Sequence, residues 1–319
     1  MNWRLKALVQ GAVSLLPPAV SFDLYYRLQR ACGSLRHVNP IAGFEDGVRM
    51  LGAIEERGRS VEHQAVLEVG TGRRLNVPLA FWLCGAAKIL TVDLHPYLKP
   101  ALVREDLAFI RKNRACVEAL FGDHAHQDGF QRRLDFLVRG DPSVQQLMEH
   151  AHIQYLAPLE TRRLPVEDRT VDYHVSNNVL EHIPPDTLRA ILVEGRRVIR
   201  DDGLLVHRID FSDHFSEADP RISTVNFLRY SEREWRRYAG NRYGYHNRLR
   251  IDELERILQD AELAVDCEKR EIDSVALRLL ASGFKLDARF ADKPNAVNAT
   301  KNAVLVLGKS ATLGRRQVN

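Results

Sequence analysis

The sequence predicts an α/β fold: a doubly wound, mostly parallel sheet of seven strands, with a helical cap in front of it and a helical insertion after the second strand. Three observations predict it. The apolar run Ala65-Val66-Leu67-Glu68-Val69 ends in Gly70-Thr71-Gly72, a strand followed by a tight glycine turn. About twenty residues later Ile89-Leu90-Thr91-Val92 repeats the pattern and stops at Asp93. Beyond it, short apolar runs alternate with helical patterns, as in parallel strands joined by helical crossovers.

Residues 1–60 read as the helical cap, broken at Pro17-Pro18 and around Asn39-Pro40. Ala7 to Val20 is mostly apolar and follows the basic start Met1-Asn2-Trp3-Arg4-Leu5-Lys6. Gln10 and Pro17-Pro18 interrupt it, and it is too short to span a bilayer, so it reads as an amphipathic helix rather than a signal peptide or a span. Such a helix packs on the domain or makes peripheral contact with a membrane surface. Phe44 to Arg57 has helical spacing.

The main domain is expected over 61–319. Strand 65–69 leads to a helix from Asn76 that stops near Gly85, then to strand 88–92. The charged stretch 97–150 is longer than one crossover needs and reads as an insertion of two or three helices. Strands follow at 153–156 and 171–176. A helix opening at Pro184-Pro185-Asp186 runs to about Arg200, with proline chemistry suited to a first turn. Asp201-Asp202-Gly203 reads as a turn and Leu204 to Ile209 as a strand. Residues 211–249 look irregular and rich in arginine and aromatics. Helix 251–262, strand 263–268 and strand 302–308 complete the chain.

Of 319 residues, 45% are hydrophobic and 28% charged, the profile of a soluble globular protein. The net charge of +4 is too small to demand a nucleic-acid partner. Cys32, Cys84, Cys116 and Cys267 form no CxxC pair, which removes zinc knuckles and dithiol redox motifs and fits a reducing, cytoplasmic setting. The oligomeric state is not legible in these features.

Two parallel strands with glycines after the first and an acid at the tip of the second form an adenosine-binding corner. Glu68, two residues before Gly70, would repel a pyrophosphate and attract a cationic amino group. Arg73-Arg74-Leu75 after Gly72 leaves the dinucleotide pattern GxGxxG incomplete. Both points favour S-adenosylmethionine over a nicotinamide cofactor. Gly70 and Gly72 allow close backbone approach, and Asp93 can accept from both ribose hydroxyls.

Three stretches carry a resemblance: Val66-Leu67-Glu68-Val69-Gly70-Thr71-Gly72; Val92-Asp93; and Leu164-Pro165-Val166-Glu167-Asp168 through Ser176-Asn177-Asn178-Val179-Leu180-Glu181-His182-Ile183. The turn before strand 204–209 adds to them. In order and spacing the chain resembles the class I, Rossmann-like S-adenosylmethionine-dependent methyltransferases. It is most similar to the broad group that includes quinone-biosynthesis enzymes and small-molecule and sugar O-methyltransferases. The resemblance covers 65–93 and 153–210 well and 250–309 loosely. It implies a cofactor site of Glu68, Gly70, Thr71, Gly72, Asp93 and Leu94, with Glu160 and Thr161 near the adenine and Asn177 and Asn178 bordering the methyl-transfer site. One departure stands out: Arg74 replaces a frequent third glycine, so its side chain must point away from the methionine moiety or contact its carboxylate.

Methyl transfer is an in-line displacement in which alignment does most of the work, but a hydroxyl acceptor also needs a base or a metal. His182, His207, Asp210, Asp213 and His214 follow strands four and five, where ligands bind in such folds. His214 and Asp210 are the first candidates, with His182 beside them. The pairs His124/His126 and His150/His152 sit in the insertion among solvated polar residues, and no metal site is expected there. The arginine-aromatic region 211–250, with Arg229, Trp235, Arg236, Arg237, Tyr243 and Tyr245, is the candidate for acceptor recognition, since arginine forks clamp anions and aromatic faces stack on sugars.

These features lead to an enzyme that methylates a hydroxyl of a small molecule or glycan, such as a nucleotide- or lipid-linked saccharide. Three alternatives stay open. A quinone or lipid methyltransferase would use the apolar N-terminus. An RNA methyltransferase would use the arginines, although no RNA-binding module is visible and Asn177-Asn178-Val179-Leu180 is not an Asn/Asp-Pro-Pro-aromatic motif. A cofactor-binding module without catalysis has Arg74 as its only support.

Overall fold

The computed structural model of the protein describes residues 1–37 and 39–310. The end of the expected main domain, 311–319, lies outside them. Among the described residues seven strands form one sheet: β1 (Ala65–Val69), β2 (Lys88–Val92), β3 (Ile153–Leu156), β4 (Val171–Asn177), β5 (Ile199–Asp210), β6 (Leu263–Ile272) and β7 (Thr300–Lys309). Their order is β3-β2-β1-β4-β5-β7-β6. The first five are parallel neighbours, and β7 runs antiparallel to both β5 and β6. The chain reverses its direction of winding between β1 and β4, which opens a crevice at the carboxyl ends of those strands.

Among the described residues fourteen α-helices surround the sheet: α1 (Trp3–Ser14), α2 (Pro18–Cys32), α3 (Ile41–Glu55), α4 (Asn76–Leu83), α5 (Pro100–Lys112), α6 (Arg114–Phe121), α7 (Asp128–Arg139), α8 (Val144–His150), α9 (Pro185–Val198), α10 (Glu232–Ala239), α11 (Ile251–Asp260), α12 (Ser274–Ala281), α13 (Ala288–Ala291) and α14 (Asn295–Asn298). Side chains alternate across the strands and divide the core in two. Val66, Val206, Val304 and Val306 pack with Phe44 and Ile54 of α3, Phe81 of α4 and Leu134 of α7. Leu67, Leu205, Leu305 and Leu307 pack on the opposite face with Leu188 of α9 and Leu254 of α11.

The structure refines the expected elements in three places. The insertion holds four helices, α5 to α8, because Asn113-Arg114 and Gly140-Asp141-Pro142-Ser143 break what the charge pattern ran together. Asp201-Asp202-Gly203 does not end a strand: β5 runs through it as a bulge between Val171↔Ile199 and Tyr173↔Leu204. The region 211–249 contains a 3-10 turn at Asn226–Arg229 and helix α10, whose start is closed by a reciprocal Ser231–Glu234 capping box.

The N-terminal 60 residues serve two layers. Helix α3 belongs to the sheet's own core, whereas α1 joins a third cluster in which Trp3 and Ala7 pack with Phe215, Phe227, Trp235 and Phe290. Two buried arginines tie this cluster to the sheet. Arg248 donates to Phe227 O at 2.9 Å and Tyr230 O at 2.7 Å, and Arg250 to Phe211 O at 2.7 Å, Asn298 O at 3.1 Å and Thr300 O at 2.6 Å.

Candidate functional site

At the carboxyl ends of β1 and β2, Glu68 lies under the glycine turn, opposite its register partner Thr91. The Thr91 hydroxyl donates to Glu68, and Thr71 Oγ1 lies 2.6 Å from Thr91 Oγ1. Burial pushes the Glu68 carboxyl up to about 8, against that hydrogen bond, so a cation arriving above it would restore its charge. Gly70 has φ +88° and donates to Val92 O at 2.8 Å. A Cβ there would overlap Val179 Cγ2, so the turn can seat against the β4 tip only as glycine. Gly72, at φ +65°, faces open space, leaving room for a ligand along its backbone.

Asp93 accepts from Gly72 N at 2.9 Å and His95 N at 3.2 Å, which locks the two strand tips together. Burial raises this carboxyl, and the Gly72 N–H opposes the shift. Each oxygen keeps a second lone pair, able to accept from a further hydroxyl. Asp93→Ala is expected to weaken S-adenosylmethionine binding by about 10- to 100-fold in a calorimetric titration, the worth of one charged hydrogen bond; unchanged affinity would remove Asp93 from the ribose site.

Leu94 is exposed beside Asp93, and Thr161 is buried. Glu160 is exposed and paired with Arg162 at 2.9 Å. At the β4 tip Asn177 donates to Asp46 Oδ2 at 3.1 Å, and its own Oδ1 is buried without a partner among the described residues. Asn178, at φ +54°, accepts from Arg208, whose Nε lies 3.0 Å from Asp46 Oδ1. Open space at Gly72, an unpartnered amide oxygen on Asn177 and the Glu68 and Asp93 carboxyls fit S-adenosylmethionine. Arg74 points away from this corner, pairing with the buried Asp106 and donating to Leu102 O at 3.2 Å. The one feature that favoured a non-catalytic module is thereby accounted for as a core ion pair. Helix α2 lies over the same tips: Arg73 sits 5.9 Å and 6.0 Å from the Tyr25 and Tyr26 rings, and Phe22 is 4.8 Å from His95.

Because Val179 abuts Gly70, the turn that follows it belongs to the same crevice. That 3-10 turn, Leu180–His182, carries Glu181 and His182. Asp210 ends β5, and its carboxylate faces His214 Nε2 at 3.5 Å. The His182 and His214 rings are 5.0 Å apart, and His246 is 5.0 Å from His214. Burial drives Glu181 up to about 8, and the nearby His214 charge works to keep the exposed His182 neutral. Burial would also lower His214, but the Asp210 carboxylate outweighs it and lifts the imidazole to about 9, while Asp210 is held well below the usual carboxylate range. Of the other candidates, His207 is buried within the sheet, 2.8 Å from Ser176 Oγ, and Asp213 is buried accepting from Phe215 N at 2.9 Å.

The loop bearing His214 is fixed by the distant N-terminus. The Met1 amino group donates to Ala218 O at 2.7 Å, Trp3 N to Asp219 Oδ2 at 3.0 Å, and Lys6 Nζ to His214 O at 3.1 Å. The arginine-aromatic segment is largely spent on the fold. Trp235 is buried against Tyr230 and Trp3, Tyr243 stacks on Tyr25 at 4.1 Å, and the Tyr245 carbonyl faces His182 Nδ1 at 2.9 Å. Arg229, Arg236 and Arg237 remain exposed, Arg236 pairing with Glu232 at 3.1 Å. Sequence reasoning missed Asp46, Arg208 and His246, which no local motif marks. Glu181 lay inside the third signature but received no role.

A methyltransferase-domain family model matches residues 134–207. No curated protein matches the sequence. Solved structures of similar shape share little sequence. A methyltransferase in complex with the Haloferax volcanii Trm112 activator has TM-score 0.48 and 13% identity, over 90% of this chain and 97% of that one. The Burkholderia thailandensis 1,6-didemethyltoxoflavin-N1-methyltransferase gives 0.45 and 15%, over 92% and 88%. The Streptomyces coelicolor geranyl diphosphate C-methyltransferase gives 0.45 and 10%, over 82% and 76%. The domain match, the seven-stranded sheet and the glycine corner at its switch point are together those of a Rossmann-like, S-adenosylmethionine-dependent methyltransferase domain, to which this chain is similar.

Proposed function

We propose that this methyltransferase acts on a hydroxyl of a small molecule or glycan, with a nucleotide- or lipid-linked saccharide as the leading acceptor class. The carrying observation is the group Asp210, His182 and His214 beside the Gly70 turn. Bound at the glycine corner, S-adenosylmethionine supplies an electrophilic methyl group. A neutral amine attacks such a carbon with its free lone pair, but an alcohol must lose its proton as the O–C bond forms. A crevice lined by imidazoles and a carboxylate suits the second case. The exposed Arg229, Arg236 and Arg237 support an anionic acceptor. The test is transfer of labelled methyl from S-adenosylmethionine across saccharides, nucleotide sugars, quinols and amine heterocycles. A product methylated on a saccharide oxygen is expected; products on nitrogen or carbon alone would overturn the reading.

A second reading, a lipid-borne or quinone acceptor, is favoured by the outer faces of α1 and α2. Leu8 is 68% and Leu15 87% exposed, with Leu5 and Val20 nearby. No helix among the described residues is long and apolar enough to cross a membrane. This apolar face would instead rest on a lipid surface, placing the enzyme at the cytoplasmic side. Deleting α1 would also unpin His214, so the cleaner variant is Leu8→Glu with Leu15→Glu. It is expected to lower partitioning to anionic vesicles by at least about 100-fold, given about 1.5–3 kcal/mol for each of two buried leucines. Equal partitioning of variant and wild type would exclude the membrane.

A further inference from the structure

We infer that Glu181, His182 and His214 form a divalent-cation site, at which the acceptor hydroxyl binds and is made acidic. Each residue offers a ligand atom, and the three atoms lie within 4.8 Å of one another. Among the described residues this is the grouping of that kind. The histidine pairs of the insertion do not gather: His124 Nε2 pairs with Glu55 at 2.8 Å, and His150 stacks on Phe136 at 3.7 Å.

Glu181 points independently to a ligand. It is 2% exposed, and neither of its carboxylate oxygens has a well-formed hydrogen bond among the described residues. A buried carboxyl with no well-formed hydrogen bond is costly, and coordination to a cation offsets that cost. Its backbone is held in place, since Asn247 N donates to Glu181 O at 2.8 Å and Asn247 Nδ2 to Leu180 O at 2.8 Å. The side chain is therefore presented by a fixed turn rather than by a mobile loop.

The surroundings of both histidines have the form that metal ligation requires. His182 Nδ1 faces the Tyr245 carbonyl at 2.9 Å, so the proton belongs on Nδ1 and the Nε2 lone pair is free. His214 presents Nε2 to the Asp210 carboxylate at 3.5 Å, so Nε2 keeps its proton and Nδ1 would release its own to the arriving cation. Asp210 is itself braced by Ser212 N at 2.7 Å. A carbonyl behind one imidazole and a carboxylate behind the other fix ring orientation and raise ligand basicity. Asp210 is thus a positioning residue. One oxygen and two nitrogen donors suit zinc, manganese, iron or cobalt better than calcium, and three protein ligands leave a position for substrate.

The role given to the cation rests on the hydroxyl reading above. The acceptor oxygen takes the open position, its O–H bond breaks and the proton passes to solvent water. The O–CH3 bond forms as the S–C bond of the donor breaks, with that electron pair staying on sulfur. The cation lowers the cost of the deprotonation without being consumed.

The test uses the full chain, stripped with a chelator and titrated with Co2+ while its visible d–d absorption is followed, and with Zn2+ and Mg2+ by calorimetry. Saturable binding of a single Co2+ or Zn2+, with Mg2+ weaker, is expected. Glu181→Gln and His182→Ala should weaken it beyond the effect of Asp210→Asn, itself about 10- to 100-fold. The double variant His124→Ala, His126→Ala should bind as wild type does. Retained S-adenosylmethionine affinity in Glu181→Gln shows that the variant is folded. Absence of saturable Co2+ and Zn2+ binding, or wild-type affinity in Glu181→Gln, overturns the site. Full-rate oxygen methylation by the stripped protein overturns the cation's role and leaves the hydroxyl reading standing. Cation binding together with methylation only on nitrogen or carbon overturns that role while leaving the site.

Discussion

Gly70→Ala is expected to destabilise the fold by about 2–5 kcal/mol and to abolish S-adenosylmethionine binding. Two costs combine. The backbone at φ +88° is left-handed, which costs a residue with a Cβ about 1–2 kcal/mol. The new methyl would also overlap Val179 Cγ2 and sit 3.0 Å from its Cγ1, an overpacking worth about 1–3 kcal/mol. Relief requires the β4 tip to move, and that tip carries Asn177, Asn178 and the Glu181 turn. Gly72→Ala separates the two terms. Its φ is +65° and no atom lies within 4 Å of the added carbon, so only the backbone cost of about 1–2 kcal/mol applies. Thermal unfolding of both variants, of Val179→Ala and of Gly70→Ala combined with Val179→Ala completes a cycle for the Gly70–Val179 contact. The Val179 truncation should recover part of the loss. Equal destabilisation by the two single glycine changes would refute the steric account.

Arg250→Met is expected to cost at least about 3–5 kcal/mol, the range for breaking a fully buried charged network. The guanidinium is wholly buried and donates to the carbonyls of Phe211, Asn298 and Thr300. Methionine fills similar space but leaves those acceptors unsatisfied, at about 1–3 kcal/mol each. Burial lowers the arginine only to about 10, so it remains charged at neutral pH. Arg250→Lys should not rescue, because one ammonium cannot span carbonyls on two segments as a planar fork does. Arg236→Ala, on the exposed face of α10, should stay within about 0.5 kcal/mol of wild type. Urea unfolding with an unchanged slope gives these differences directly. Phe211 follows Asp210, so Arg250→Met should also weaken Co2+ binding. A variant within about 1 kcal/mol of wild type would show that the network is dispensable.

These two positions mark where local reading stops. The strand–glycine–strand–acid pattern from Ala65 to Asp93 was legible because each part is local: strand periodicity, a turn that needs φ > 0 at glycine, and an acid at a strand tip. The same locality exposed the alternation of strands and helices, and with it the α/β class and the kind of cofactor. Arg248 and Arg250 read as part of a surface clamp because nothing nearby shows that their partners are carbonyls from 18 to 50 residues away. Asp201-Asp202-Gly203 read as a strand-breaking turn because only pairing on both sides turns it into a bulge.

The strands and the glycine corner were readable along the chain because they follow from short-range periodicity and backbone preference, and the donor class from the charge of Glu68 beside that turn. Which polar residues meet emerges from the packing alone. It brought Asp46 of α3 to Arg208 of β5, Lys6 of α1 to the carbonyl of His214, and Glu181 to His182 and His214. The physical reason is that burial and desolvation act on neighbours in space, and those neighbours are set by the strand order and the packing of the helices, not by spacing along the chain.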